Sequence, residues 1–140
     1  MERWVIYAIV SMLFAGLTSV LAKSGLKGIS SDLGLAIRTA VVFILVTLNV
    51  TVLTGVKDFS NLTKNNLIFL ALSGLTTSLS WIFYYRAMKE GEVSMVASID
   101  KASIVVTILL SFLILKEPMT AKLLVGGVFI LVGMMILIWK

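Results

Sequence analysis

The stretch from Val93 to Leu115 limits what this chain can become more than any other: 23 residues, apolar apart from Asp100, Lys101 and a few hydroxyl side chains. Roughly 20 such residues at 1.5 Å rise per residue cross the hydrocarbon core of a bilayer as a helix. Its thirteen Val, Ile, Leu and Phe residues favour insertion by about 0.3–0.6 kcal/mol each, roughly 4–8 kcal/mol together. Asp and Lys near a helix centre oppose it by about 2.5–3.5 kcal/mol each, roughly 5–7 kcal/mol for the pair. The sums nearly cancel. The helix can insert, but its charged turn should face protein or water and not lipid.

Four more runs, 4–22, 33–55, 66–88 and 119–139, are of spanning length, and only short polar junctions separate them. The first is longer than the apolar core of a typical signal peptide and reads as a true span. Composition agrees: 59% of the 140 residues are hydrophobic, 14% are charged, and the mean hydropathy is +1.08. The expected fold is therefore an all-α integral membrane protein, a single-domain bundle of five transmembrane helices over residues 1–140. With no Cys and no His, the chain offers no disulfide, thiolate nucleophile or imidazole metal ligand. No cofactor, metal site or nucleophile–base pair is expected, and an enzyme is the least supported class. The net charge of +5 sits at the junctions, as membrane flanks do, and does not form a nucleic-acid-binding face.

Polar residues inside the runs mark the candidate site. Arg38 lies early in the second run, where it either snorkels to the headgroups or turns inward toward an acid. The third run carries Ser73, Thr76, Thr77, Ser78 and Ser80, then Trp81, Tyr84 and Tyr85. Those aromatics form either an interfacial belt or, because Trp81 and Tyr85 share a helix face, a pocket wall. Asp100 and Lys101 are adjacent, point about 100° apart and are poorly placed to neutralise each other, so each should need its own partner. Counted along alternating spans, Arg38, Trp81, Tyr84, Asp100 and Lys101 fall in the same half of the bilayer, with Arg38 the expected partner of Asp100. At the connections, Asp32 is a plausible N-cap for the second helix, and Pro118 suits the first position of the fifth.

Five spans put the termini on opposite sides. Arg3, Lys57, Lys64, Lys116 and Lys122 flank one side, and Lys23, Lys27, Arg86, Lys89 and Lys140 the other. Such a balance permits insertion both ways round, and hence an antiparallel pair of identical chains.

Lys23 after the first span, Arg38 early in the second, Tyr85-Arg86-Ala87 ending the third and Leu115-Lys116-Glu117 ending the fourth, followed by a glycine-bearing fifth span, form an ordered pattern. In this pattern the chain resembles the EamA-type branch of the drug/metabolite transporter superfamily, in its single-unit bacterial and archaeal form. Many EamA units carry a proline in the middle of the fourth helix. Here that turn is Ile99-Asp100-Lys101-Ala102-Ser103, so a backbone kink is not expected. Small four-helix relatives export cations through a glutamate in the first span, which this first span lacks. The resemblance implies efflux or exchange of small molecules, amino acids or lipid-linked sugars across the cytoplasmic (inner) membrane. The expected mechanism is alternating access in an antiparallel homodimer. Asp100 would take up a proton or cation, Lys101 or Arg38 would set its affinity, and Trp81, Tyr84 and Tyr85 would line the path. The alternative is a non-transporting subunit paired with a second small membrane protein, for instance in a lipid-carrier flippase.

Overall fold

The structure, a computed structural model, describes residues 2–54 and 61–139. Gly55, Lys57 and Lys140, which entered the reading of spans and flanks, lie outside the described residues. Every regular element among the described residues is helical, and five helices are long and apolar enough to cross a membrane. The fold is all-α. Its apolar side chains are exposed around nearly the whole circumference of each helix, and the buried hydrophobic residues are Leu26, Tyr85 and Met88. A helix that is apolar all round needs an apolar surrounding, here the hydrocarbon of a bilayer.

The chain divides into two compact units, residues Met1–Glu90 and Gly91–Lys140. The first unit holds α1 (Arg3–Gly25), α2 (Ser31–Asn49) and α3 (Lys64–Glu90). Helix α2 widens into a π-helical turn over Val50–Thr54. Its N-cap is Ser30, whose hydroxyl accepts from the Leu33 amide at 3.2 Å. Asp32 is thus not the cap, as the sequence suggested. Two cap-competent residues compete there, and the one nearer the chain reversal captures the free amide. Asp32 instead sits in the first turn and pairs with Arg86 of α3 at 3.5 Å. The connection from α1 turns at Gly28, whose φ of 77° suits a residue without Cβ. Gly34 admits the closest approach: a Cβ there would lie 2.5 Å from a methyl of Leu26.

The second unit holds α4 (Val93–Asp100), α5 (Ser103–Leu110) and α6 (Ala121–Ile138). Helices α4 and α5, with a π-helical turn over Ser111–Leu115, make up one span. Lys116 ends it in the left-handed region at φ 55°. The amides of Lys116 and Glu117 both turn back to the Ser111 carbonyl. Helix α6 starts at Ala121 behind Thr120, whose hydroxyl accepts from the Leu123 amide at 3.3 Å. Pro118 therefore lies in the connection and not at a first helical position, because Thr120 offers a side-chain cap that proline cannot. Gly127 of α6 lets Ile108 of α5 come to 3.2 Å from the position a Cβ would take.

Candidate functional site

Polar atoms in the first unit collect where α1, α2 and α3 meet near the C-terminal end of α3. Two lysines bind the element ends reciprocally. Lys23, in the last turn of α1, donates to the Met88 carbonyl at 2.6 Å. Lys89, in the last turn of α3, donates to the carbonyls of Leu26 at 2.8 Å and Ile29 at 2.7 Å. The last carbonyls of a helix have no partner inside it and carry the negative end of its dipole, so a lysine from the facing element satisfies both needs. The sequence reading placed these residues among the flanking charges and missed this role. The legible signal was a lysine in the last turn of two successive odd-numbered spans.

One layer deeper, the Tyr84 hydroxyl lies 2.9 Å from that of Ser19, tying α3 to α1. Ser19 recurs with Ser11 and Ala15 at four-residue spacing on the first span, a small-residue face on which another helix can approach closely. Tyr85 turns the other way and is 3% exposed. The Arg38 guanidinium lies 4.3 Å from the centre of the Trp81 ring and 5.7 Å from that of Tyr85. Trp81 and Tyr85, four residues apart, thus present a common aromatic face to one cation.

Beside this stack is a cleft of about 330 Å³. Leu21, Leu26, Ile29 and Ile37 form its apolar walls, and Thr18, Arg38 and Tyr85 supply its polar groups. The serine and threonine residues at positions 73–80 of the third span do not line it. Thr76 and Thr77 donate to the Ser73 carbonyl, and Ser78 donates to that of Gly74. Such back-bonding spends the side chain on its own helix.

In the second unit the fourth span changes winding at its charged turn. The amides of Ala102, Ile104 and Val105 donate to carbonyls three residues back, those of Ile99, Lys101 and Ala102, at 3.0–3.1 Å. Lys101 and Ala102 have ψ of −15° and −18°, flatter than an α-helix. The span changes winding here without a proline, while residues 93–115 still form one helical span. The adjacent charges pair, contrary to expectation: Lys101 Nζ lies 3.7 Å from Asp100 Oδ2. The long lysine stem and the tightened turn let two side chains about 100° apart reach each other. The carboxylate is left 39% exposed. A pairing of Arg38 with Asp100 would join the two units; within its own unit Arg38 lies over Trp81.

Five spanning helices, with charged and aromatic side chains set inside them and one span broken at a carboxylate, define a multi-pass membrane protein. The EamA-like transporter family matches residues 2–139, and the chain belongs to that family, part of the drug/metabolite transporter superfamily. It is also similar to a Sinorhizobium sp. protein described as an uncharacterized transporter in the cobO 3′ region. The two are 37% identical over 136 residues, covering 97% of this chain and 96% of that protein. No solved structure matches the chain.

Proposed function

We propose that the protein is a secondary transporter of small molecules, that its two units act as one domain, and that it works by alternating access as an antiparallel homodimer. The observation that carries this reading is the interrupted fourth span, where the i→i−3 turn falls on Lys101 and Ala102 beside an intramembrane carboxylate. Secondary transporters build ion and substrate sites at discontinuous spans, because irregular backbone at membrane depth is tolerated where it is buried in protein or lines a cavity. Asp100 takes up the coupling proton or cation, and Lys101 holds the carboxylate between cycles. The cleft beside Arg38, Trp81 and Tyr85 receives the substrate, and Tyr84 fixes α3 against α1.

The antiparallel dimer is supported by the odd number of spans and the even division of flanking charge. The cytoplasmic membrane of a bacterium or archaeon fits both the family and the flanks.

Flux in proteoliposomes tests the reading. Asp100→Asn should abolish ion coupling while the protein still assembles, and unchanged coupled flux would make Asp100 structural. A single cysteine placed at a terminus of this cysteine-free chain should be labelled from both faces of intact cells. Labelling from one face alone would sink the antiparallel dimer. A second reading draws on the Asp100–Lys101 pair itself: two charges that satisfy each other can serve as polar glue for a different small membrane protein. Co-purification of such a partner, with no flux from the chain alone, would decide for it.

A further inference from the structure

The cleft of the first unit has walls of one chemical kind and a single charge. Leu21, Leu26, Ile29 and Ile37 are apolar, and Arg38 is the one ionised side chain among the residues lining it. The Thr18 hydroxyl is engaged with the Phe14 carbonyl at 2.8 Å. The guanidinium carbon of Arg38 lies over the Trp81 ring, 4.3 Å from its centre. Such a cation–π contact draws on the ring quadrupole and supplies no conventional hydrogen-bond acceptor to the five N–H donors of the fork. Among the described residues none of these donors has a hydrogen-bond or ion-pair partner. The one acid of its own helix, Asp32, pairs with Arg86.

A planar fork with unspent donors in an apolar recess matches a carboxylate or phosphate, which accepts two parallel bonds from it. An amine would meet a like charge, and a neutral group would leave the charge uncompensated. We infer that this cleft binds an amphiphilic oxyanion, its acidic group on the Arg38 fork and its apolar body against Leu21 and Ile37. The volume of about 330 Å³ falls at the small end of the roughly 300–1,000 Å³ of small-molecule sites. A free organic acid and the phosphate of an anionic lipid share this chemistry. The inference rests on the transport reading, in which the anion is the cargo.

The test uses the full chain in phosphatidylcholine nanodiscs with Trp4 and Trp139 replaced by Phe, so that Trp81 reports alone. The probes are hexanoate, hexanol and hexylamine. Hexanoate should bind saturably and about tenfold or more tighter than the other two. Arg38→Gln should weaken hexanoate about tenfold to a hundredfold, the range set by charge-assisted hydrogen bonds. Arg38→Lys, which keeps the charge without the fork and guards against loss of folding, should fall between. Equal binding of hexylamine or hexanol, or unchanged hexanoate binding in Arg38→Gln, overturns the inference. Nanodiscs containing phosphatidylglycerol separate the two sources. Competition with hexanoate that vanishes in Arg38→Gln assigns the anion to a lipid headgroup, and equal affinity in both lipids assigns it to a free acid. Either result supports the oxyanion site. Flux assays separate this inference from the transport reading. Hexanoate binding without flux of any substrate sinks transport and leaves the anion site standing. Flux of an amine with no hexanoate binding does the reverse.

Discussion

Replacing Lys89 by Met removes two hydrogen bonds at once, both to backbone carbonyls of the connection between α1 and α2. The ammonium reaches Leu26 O at 2.8 Å and Ile29 O at 2.7 Å, in the only connection between α1 and α2. A bond to a charged donor contributes about 1.5–3 kcal/mol when shielded from water. Lys89 is exposed at the end of α3, where water and salt compete, so we discount each bond to roughly 0.5–1 kcal/mol. The pair then holds the connection closed by about 1–2 kcal/mol, a factor of about 5–30 in the local opening equilibrium. Three amides report on it: Leu26, bonded to Ala22 O at 3.0 Å, Gly34, bonded to Ser30 O at 3.1 Å, and Leu33, bonded to the Ser30 hydroxyl. Hydrogen exchange in peptides covering residues 26–34 should therefore accelerate about 5–30-fold in Lys89→Met, and much less in Lys89→Arg, which retains a donor. Peptides from α6, in the other unit, should exchange as before. If residues 26–34 exchange within twofold of the parent, the lysine contacts carry no local stability. If α6 accelerates equally, the variant has lost the whole fold, and the reciprocal lysines are not a local latch.

Two further outcomes follow from the packing of the same unit. Gly34→Ala should destabilise by about 0.5–1 kcal/mol, because the Leu26 methyl at 2.5 Å can rotate away, whereas Gly34→Val should lose about 1–3 kcal/mol through overpacking; equilibrium unfolding in mixed SDS–detergent micelles measures both. Ser19→Ala and Tyr84→Phe should each lose about 0.6 kcal/mol, the mean for hydrogen bonds between spans, and the double variant should lose no more than either; additive losses in the same unfolding measurement would show that the two hydroxyls do not bond each other.

The spans were legible because a bilayer imposes a length and a composition that a sequence displays directly. The run 93–115 coincides with a helical span in the structure. The end residues were less legible. Ser30 and Asp32 are both good caps, as are Thr120 and the residues around Pro118, and only the path of the chain selects between them. Arg38 and Trp81 stood out by depth, yet their stacking depends on how two helices are rotated about their axes, which periodicity in uniformly apolar helices does not encode. For the reciprocal lysines the positions in the last turns were legible but the partners were not, because those are backbone carbonyls, which every sequence possesses. The break at Lys101 had no signature at all. Neither Lys101 nor Ala102 disfavours an α-helix, so local propensity does not account for it.

The change of winding in the fourth span also fixes how its two halves are turned. Ser94 and Ser98 form one small-residue row before the turn, and Ser103, Thr107 and Ser111 form another after it. On a uniform α-helix the five steps from Ser98 to Ser103 sum to about 140° after full turns are removed. Two of those steps wound at three residues per turn add about 40°, which brings the rows to about 180°, on opposite sides of one rod. The span thus presents its small residues to one side along its first half and to the opposite side along its second. Relaxing the turn at Lys101 and Ala102 to ordinary pitch would rotate every side chain beyond it by the same angle. At a radius of about 5 Å that is a sweep of roughly 3.5 Å, made by torsion alone and without tilting the helix in the membrane.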